Sequence, residues 1–558
     1  MQAKHYLFFS LNICAAFLCT VPGAAKENPL RGMVLVDYMS GQKLSQSYNV
    51  LCNPYHTGSA VEEVRATLRD IPMFSAGAWK TGETLPWGAT AKDAMLFDFA
   101  LMKRFGIDAI CLNYGMGVNK WPDPKEQPHG LIAVYKPIIE ALKERPDLKV
   151  LFQMDQAYPN GILPPKRVRE EGMEDLFDHY LDTPNLLRDE KGNVVIDTYR
   201  ANILDPSMNA DDIPAHTDRF FQDQRQVVAN WQEILAKLGE RYDTNFVVFA
   251  DMPPAWSFVP QLETGAITGV AKLTQEQRRQ YFDLWAEPFL GIKFFGVLDD
   301  PERTQAVYND AIDSNNKFGK LSVIPVWHGW HRVWNKRIAF DGWYNLIKTF
   351  ENTRRANNPV IKVIIWNDYQ ENSQLAPTFR QGFGKLLILD HYLKRFKTGE
   401  EPAVEKDVVI LHYPPYLGNP VATDFHTVLQ CYQPLRDFVH VAVFAKEDST
   451  LVFGNETRSV SAGLSFHEFD AVPGKQAASL LRSNEPVAQV EGLYEIFDGI
   501  PYRTDKVPYI WSSECHTLFR EYAGYDLDPH DGRWADINEN GIADWFELCQ
   551  PDKKVQRP

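Results

Sequence analysis

Beyond its N-terminal run the sequence has no segment long and apolar enough to span a bilayer, which excludes a helical membrane protein. It also lacks positive charge. The 58 Lys and Arg stand against 73 Asp and Glu, a formal net charge of −15, which argues against nucleic acid or an anionic membrane as partner. Cysteine is sparse, at 7 in 558 residues. Past the N-terminal run there remain Cys52, Cys111, Cys431, Cys515 and Cys549, an odd set that requires at least one free thiol. Cys111, inside the apolar "DAICLNY", reads as a buried free thiol, whereas Cys515 and Cys549 flank a compact segment and could pair. Fixed-period repeats and low-complexity tracts are absent as well.

What the sequence does have begins with "MQAKHYLFFSLNICAAFLCTVPGAAKENP". A basic Lys4, an apolar run from Tyr6 to Val21 and small residues ending at Ala25 form a secretory signal (1–25), cleaved after Ala25. The expectation is an exported, soluble protein, secreted or periplasmic. Its length calls for two or three domains. Aromatic residues reach 13%, with 14 Trp and 23 Tyr, an excess that suits either sugar-stacking surfaces or core.

Strand-like apolar runs alternate with amphipathic helical patterns through residues 26–400. The strands read as 33–39, 107–114, 149–155, 193–199, 245–251, 293–298, 321–327 and 360–366. Of these, 193–199 also fits a surface hairpin. Eight buried strands alternating with helices such as 91–106 and 219–242 predict an α/β protein built on a closed (β/α)8 TIM-type barrel. From 401 to 500 short strands alternate with Gly, Pro and Asn turns and predict a β-sandwich domain, with a hairpin around Glu447–Ser449. A short C-terminal segment, 501–558, follows.

Such barrels carry their active sites at the C-terminal ends of the strands. Several of the expected strands end in polar residues there: Asp37, Asn113, Asp155, Asp251, His328 and a cluster from Asn367 to Glu371. Each of Asp37, Asp155 and Asp251 reads equally well as a cap for the helix that follows. In "VIIWNDYQENSQLAPT" (363–378) a buried strand runs into Asp368 and Glu371, two carboxyl groups three positions apart. Hydrolysis of a glycosidic bond needs that pair, one group to protonate the leaving oxygen and one to act as base or nucleophile. Trp366 and Tyr369 would offer flat faces to sugar rings and Asn367 donors to hydroxyls; the alternative is a solvated, helix-capping turn. The loop "VWHGWHRVWNKR" (326–337) adds Trp327, Trp330 and Trp334 with His328 and His331, either as a sugar cleft or as a helical stripe packed on the barrel, and Trp256 could form another wall. No acidic or Cys partner completes a metal site around the two histidines.

"IIWNDYQENSQLAPT" resembles the "WNDYGES…P" signature of glycoside hydrolase family 71, the α-1,3-glucanases or mutanases. "FGIDAICLNYG" (105–115) resembles that family's early-strand "GIDAFALN" pattern, and "LSVIPVWHGW" lies in the place of its "PVSPWF…W" segment. The likeness runs in order through most of residues 31–400. It implies an α-glucan substrate, hydrolysis with inversion, and Asp368 and Glu371 as the catalytic pair, with Glu371 assigned as acid and Asp368 as base or the reverse. The family's Gly is Gln370 here and its Ser is Asn372, which leaves another linkage open. A non-catalytic glycan-binding protein on the same scaffold is the alternative from a different class.

Separately, "DINENGIADWFE" sets Asp536, Asn538, Asn540, Ile542 (through its carbonyl), Asp544 and Glu547 at positions one, three, five, seven, nine and twelve of an EF-hand-type calcium loop, with Gly541 at six. An acidic disordered tail is the alternative. The expected role is a structural Ca2+ clip, with no cofactor for catalysis.

Overall fold

A computed structural model describes residues 28–39, 91–115, 130–155, 166–199, 201, 217–260, 269–296, 301–332, 337–339, 342–368, 373–378, 380–418, 430–431, 437–496, 498 and 507–523. The signal-like run, Cys52 and the whole calcium-loop motif from Asp536 to Glu547 lie outside the described residues. No helix among the described residues is long and apolar enough to cross a membrane.

The first strand is β1 (Val34–Tyr38), followed by α1 (Ala91–Arg104), β2 (Ala109–Gly115), α2 (Gly130–Lys143), β3 (Lys149–Asp155), α3 (Lys166–Tyr180) and β4 (Val194–Tyr199). The chain continues through α4 (Thr217–Tyr242), β5 (Phe246–Asp251), α5 (Gln275–Ala286), β6 (Gly291–Lys293), α6 (Pro301–Lys317) and β7 (Ser322–Val326). A small hairpin of β8 (Trp330–Arg332) and β9 (Arg337–Ala339) precedes α7 (Tyr344–Glu351), β10 (Pro359–Val363) and α8 (Gly384–Thr398). β1 to β7 and β10 close a parallel barrel in the order β1-β10-β7-β6-β5-β4-β3-β2. The protein is therefore an α/β chain with a (β/α)8 barrel. Its strands are near-continuous apolar runs because helices cover their outer faces.

Residues 194–199 are a barrel strand, with Val194 to Asp197 paired to Phe246 to Phe249. The sixth strand is the one that shifts, from the expected 293–298 to 291–293. Gly291 explains it: a Cβ there would lie 1.9 Å from the Leu321 carbonyl oxygen, so the strand can approach β7 only through a glycine. The loop after β7 is the β8–β9 hairpin and not a helical stripe.

Two four-stranded antiparallel sheets follow the barrel. The strands are β11 (Val408–Tyr413), β12 (Gln430–Cys431), β13 (Phe438–Ala445), β14 (Ser449–Phe453), β15 (Glu456–Val460), β16 (Gly463–Asp470), β17 (Ala477–Arg482), β18 (Glu485–Glu491) and β19 (Tyr509–Ser512), with α9 (Cys515–Ala523) after them. One sheet runs β16-β13-β11-β19 and the other β15-β14-β17-β18, while β12 adds to β9. β11 packs against β17 and β18 of the facing sheet, and Val409, Leu411, Val441, Leu451, Leu480 and Val490 are buried in the core.

The hairpin expected around Glu447–Ser449 is absent, because β13 pairs with β11 and β16 whereas β14 pairs with β15 and β17. Residues 446–448 instead cross from one sheet to the other. A tight hairpin joins β17 to β18, where Ser483 (φ 52) and Asn484 (φ 64) take the left-handed conformation that two-residue turns require. β19 lies past residue 500 yet pairs with β11, so the sheet extends into the segment that the sequence sets apart. Cys111 and Cys515 are both buried free thiols; Cys515 is not in a disulfide and lies 3.3 Å from the Ser512 Oγ.

Candidate active site

The barrel interior is built in tiers by the two-residue period of its strands. Near the N-terminal ends, Leu35, Ala109, Cys111, Leu151, Val195, Phe249, Val323 and Val360 form an apolar plug. Two positions further along their strands stand Asp37, Gln153, Asp197, Asp251 and Lys362, joined by Lys293 of β6. All six are about 1% exposed or less. A further step brings Met39, Phe295, Trp327, Ile364 and Ile365 into one apolar group across the barrel mouth.

The middle tier is a buried ionic band. Lys362 Nζ lies 2.7 Å from Asp37 Oδ1 and 2.5 Å from Asp197 Oδ2. Lys293 Nζ lies 3.2 Å from both Asp197 Oδ1 and Asp251 Oδ1. Gln153 donates to Asp37 at 3.0 Å and to Asp197 at 2.9 Å, and Asn113 donates to Gln153 at 3.2 Å. Burial favours the neutral forms of Asp37, Asp197 and Lys362. For Asp197 that push is outweighed by Lys293 and Lys362, and its carboxyl is held below the usual range. For Asp37 burial wins over Lys362, helped by the charge of Asp197, and the carboxyl is pushed up. Lys362 is pushed well up, because Asp197 and Asp37 overcome its burial.

Among the described residues, Asp37, Cys111 and Asp197 have donor atoms within 4.8 Å of one another, a spacing a metal could use. Here the Lys362 ammonium bonds both carboxylates, and burial drives the Cys111 thiol well up, away from the thiolate that binds metals. Lysine therefore supplies the cation of this band. None of Gln153, Asp197, Lys293 or Lys362 follows from strand-end acids. Their signal is a polar residue set among apolar ones within a strand, as in "VLFQMD", "VVIDTY" and "VIKVIIW".

Above the band, the last barrel strand leads into the acid-bearing loop. Ile364 N donates to Val326 O at 2.9 Å and Trp366 N to Asp37 O at 2.8 Å, so the chain stays tied to β7 and β1 past the end of β10. The Ile364–Ile365 peptide is cis. Asn367 holds Met39 from both sides: its Oδ1 accepts from Met39 N at 2.8 Å and its Nδ2 donates to Met39 O at 3.4 Å. The returning chain closes the loop, with Ser373 N donating to Asp368 O at 3.3 Å and Ala376 N to Trp366 O at 2.9 Å. Asp368 thus sits at the base of a loop pinned on both arms, at the C-terminal end of the barrel. Tyr369 and Glu371 lie outside the described residues.

The remaining expected site residues are distributed as follows. Asp251 belongs to the ionic band through Lys293, and Asn113 bridges to it through Gln153. Asp155 ends β3 in register with Tyr199, its side chain being outside what is described. Trp366 is fully buried, in electrostatic reach of the buried Asp98 of α1, and Trp327 is 1% exposed in the mouth cluster, so both rings are core. Asn367 uses its amide on the Met39 backbone. Trp256, on a 3-10 turn after β5, is 43% exposed and presents its ring to solvent. His328 is buried against Trp343 and the sandwich histidine His412, away from solvent.

Asn367→Ala is expected to lower stability by about 1–3 kcal/mol, because it leaves the half-buried Met39 N–H without its acceptor. The midpoint of thermal unfolding reads this directly. An unchanged midpoint would show that the clamp on Met39 contributes nothing.

No protein-family model matches the chain, and no curated protein matches it. Solved structures do resemble it. A GH99 endo-alpha-mannosidase from Bacteroides thetaiotaomicron is 13% identical, covering 66% of this chain and 99% of that one, with a TM-score of 0.41. A modular endo-beta-1,4-mannanase from Cellulomonas fimi is 11% identical over 78% of this chain and 97% of that one, with a TM-score of 0.32. These are likenesses of chain path at low identity. The barrel assignment rests on its own closed ladder of hydrogen bonds.

Proposed function

We propose that the chain is an exported glycoside hydrolase in which Asp368 and Glu371 are the working carboxyl groups. The observation that supports this best is the placement of Asp368. It stands at the C-terminal end of the closing strand, where such barrels do chemistry, on a loop tied to β1 by Asn367 and to its own return arm by Ser373. A loop pinned in this way holds a carboxyl group in one place, as proton transfer to a bound sugar requires. In the proposed reaction Glu371 gives its proton to the leaving glycosidic oxygen. Asp368 takes a proton from a water as that water attacks the anomeric carbon, or the two carboxyl groups exchange these roles. With inversion, the carboxyl groups should stand roughly 6.5–9.5 Å apart, leaving room for the water.

The substrate class we infer is an α-glucan, with the α-1,3 linkage taken from the family-71-like motif. Trp256, 43% exposed on the turn after β5, is proposed as an aromatic platform for a sugar ring. The C-terminal calcium loop is proposed as a structural clip, without a part in the reaction.

A second reading is a non-catalytic glycan-binding protein, and the burial of Asp368, 3% exposed, favours it. The test is to incubate the protein with α-1,3-glucan and a panel of other α- and β-glycans, following released reducing ends and bound protein together. Release from an α-glucan supports the hydrolase. Tight binding with no release from any substrate overturns it in favour of the binding protein.

A further inference from the structure

The barrel and the sandwich meet on a set of closely packed rings. The His328 ring lies just beyond β7, with its centroid 5.3 Å from Trp343 and 5.3 Å from His412 of β11. His412 is 5.1 Å from Trp343 and 5.7 Å from His440 of β13. His328 and His412 are buried, and neither ring nitrogen of His412 has a hydrogen-bond partner. The backbone is tight against this set. Gly342 has φ +53, and a Cβ on it would lie 2.7 Å from the His440 Nδ1. The group with metal-ligand spacing among the described residues is in the barrel, not here.

The charges that face these rings are unbalanced. Lys385 of α8 acts on both His328 and His412 as a like charge, as does His440, and His328 acts on His412 in the same sense. Glu468 of β16 is 3.8 Å from His440, at the far side of the cluster. His328 interacts with the backbone of Gly342. A proton added to His412 would therefore sit without an acceptor, between two imidazoles and within reach of a lysine.

We propose that this three-histidine contact is an acid-sensitive latch, which holds the sandwich on the barrel while the His328 and His412 rings are neutral and releases it when they take up protons. Burial first, and then the neighbouring positive charges, hold His328 and His412 well below the ordinary histidine range. The docked state consequently binds fewer protons than the opened one below about pH 6.5, the unperturbed value. Docking is then strongest above that pH and weakens as the pH falls. The loss is about tenfold in the docking equilibrium per pH unit for each histidine, and about a hundredfold for two. Release would reach the rim, because Trp327, next to His328, packs on Ile364 and Ile365 at the start of the acid loop.

The test is native-state hydrogen exchange on the full chain at pH 7 and pH 5, corrected for intrinsic exchange. It compares peptides spanning β11 and β13 with a barrel peptide spanning β4. The expected result is a selective loss of protection in β11 and β13 at pH 5. In His412→Gln, where one titrating ring is gone, the loss per pH unit should shrink by about tenfold; His328→Asn serves if that chain does not fold. Equal protection of β11 and β13 at the two pH values in the wild type would overturn the proposal. So would an identical acid loss in wild type and variant.

Discussion

Lys362→Met is expected to lower folding stability by about 3–5 kcal/mol at neutral pH, because it leaves Asp37 buried without an ammonium and Asp197 with Lys293 alone. The large figure reflects the uncompensated charge left behind, since a buried ion pair replaced whole by apolar groups is often close to neutral. Two consequences separate this cause from a packing defect. Removing charge on the other side as well, in Lys362→Met with Asp197→Asn, should restore much of the loss. The deficit of the single variant should also narrow as the pH falls. Without Lys362 the Asp37 carboxyl, already pushed up by burial, loses its largest opposing charge and rises further above its unfolded value, so the folded chain takes up a proton on acidification and the penalty is relieved. Urea unfolding at pH 7 and pH 4.5 measures both. A loss under about 1 kcal/mol would mean that Lys362 is not the charge that balances the band.

The largest expected effect on activity is at Asp368. Asp368→Asn should lower kcat/KM for the cleaved glycan by about 10²–10⁴-fold, the usual contribution of a positioned acid or base. The bond from Ser373 N goes to the Asp368 backbone carbonyl, so that tie across the loop is kept in the variant. Asn367→Ala, by contrast, should lower activity and unfolding midpoint together, because it acts through the anchorage of the loop on Met39. A pattern in which Asp368→Asn loses only stability would assign Asp368 to structure.

Much of the barrel could be read from the sequence because parallel strands buried on both faces are nearly pure apolar runs, and β3 was legible to the residue as 149–155. The failures have physical sources. β6 is short and begins at a glycine that close packing against Leu321 demands, so its apolar signal is displaced toward Phe294 and Phe295. The turn at residues 446–448 reads like a hairpin, but local turn chemistry does not say whether the next strand returns to the same sheet.

At the site, strand-end acids lead to the right rim but say nothing of depth. Asp251 looks like Asp368 in sequence, yet it is paired one tier down with Lys293. Trp366 and Trp327 read as sugar platforms because aromatic rings serve both cores and clefts; the packing of Trp327 with Met39, Phe295, Ile364 and Ile365, and the place of Trp366 in the main core, distinguish the uses. Lys362 is a single charge inside the apolar strand "VIKVIIW", a position that is unfavourable unless a counter-charge lies across the barrel.

The most direct test of a two-carboxylate hydrolase is the rate of reducing-end release from α-1,3-glucan and other α-glucans by wild type and Glu371→Gln, purified side by side. Wild type is expected to release reducing ends from at least one α-glucan, and the variant to lose about 10²-fold or more of that rate with no change in its unfolding midpoint. A variant that releases sugar at the wild-type rate would contradict the assignment of Glu371 as the proton donor.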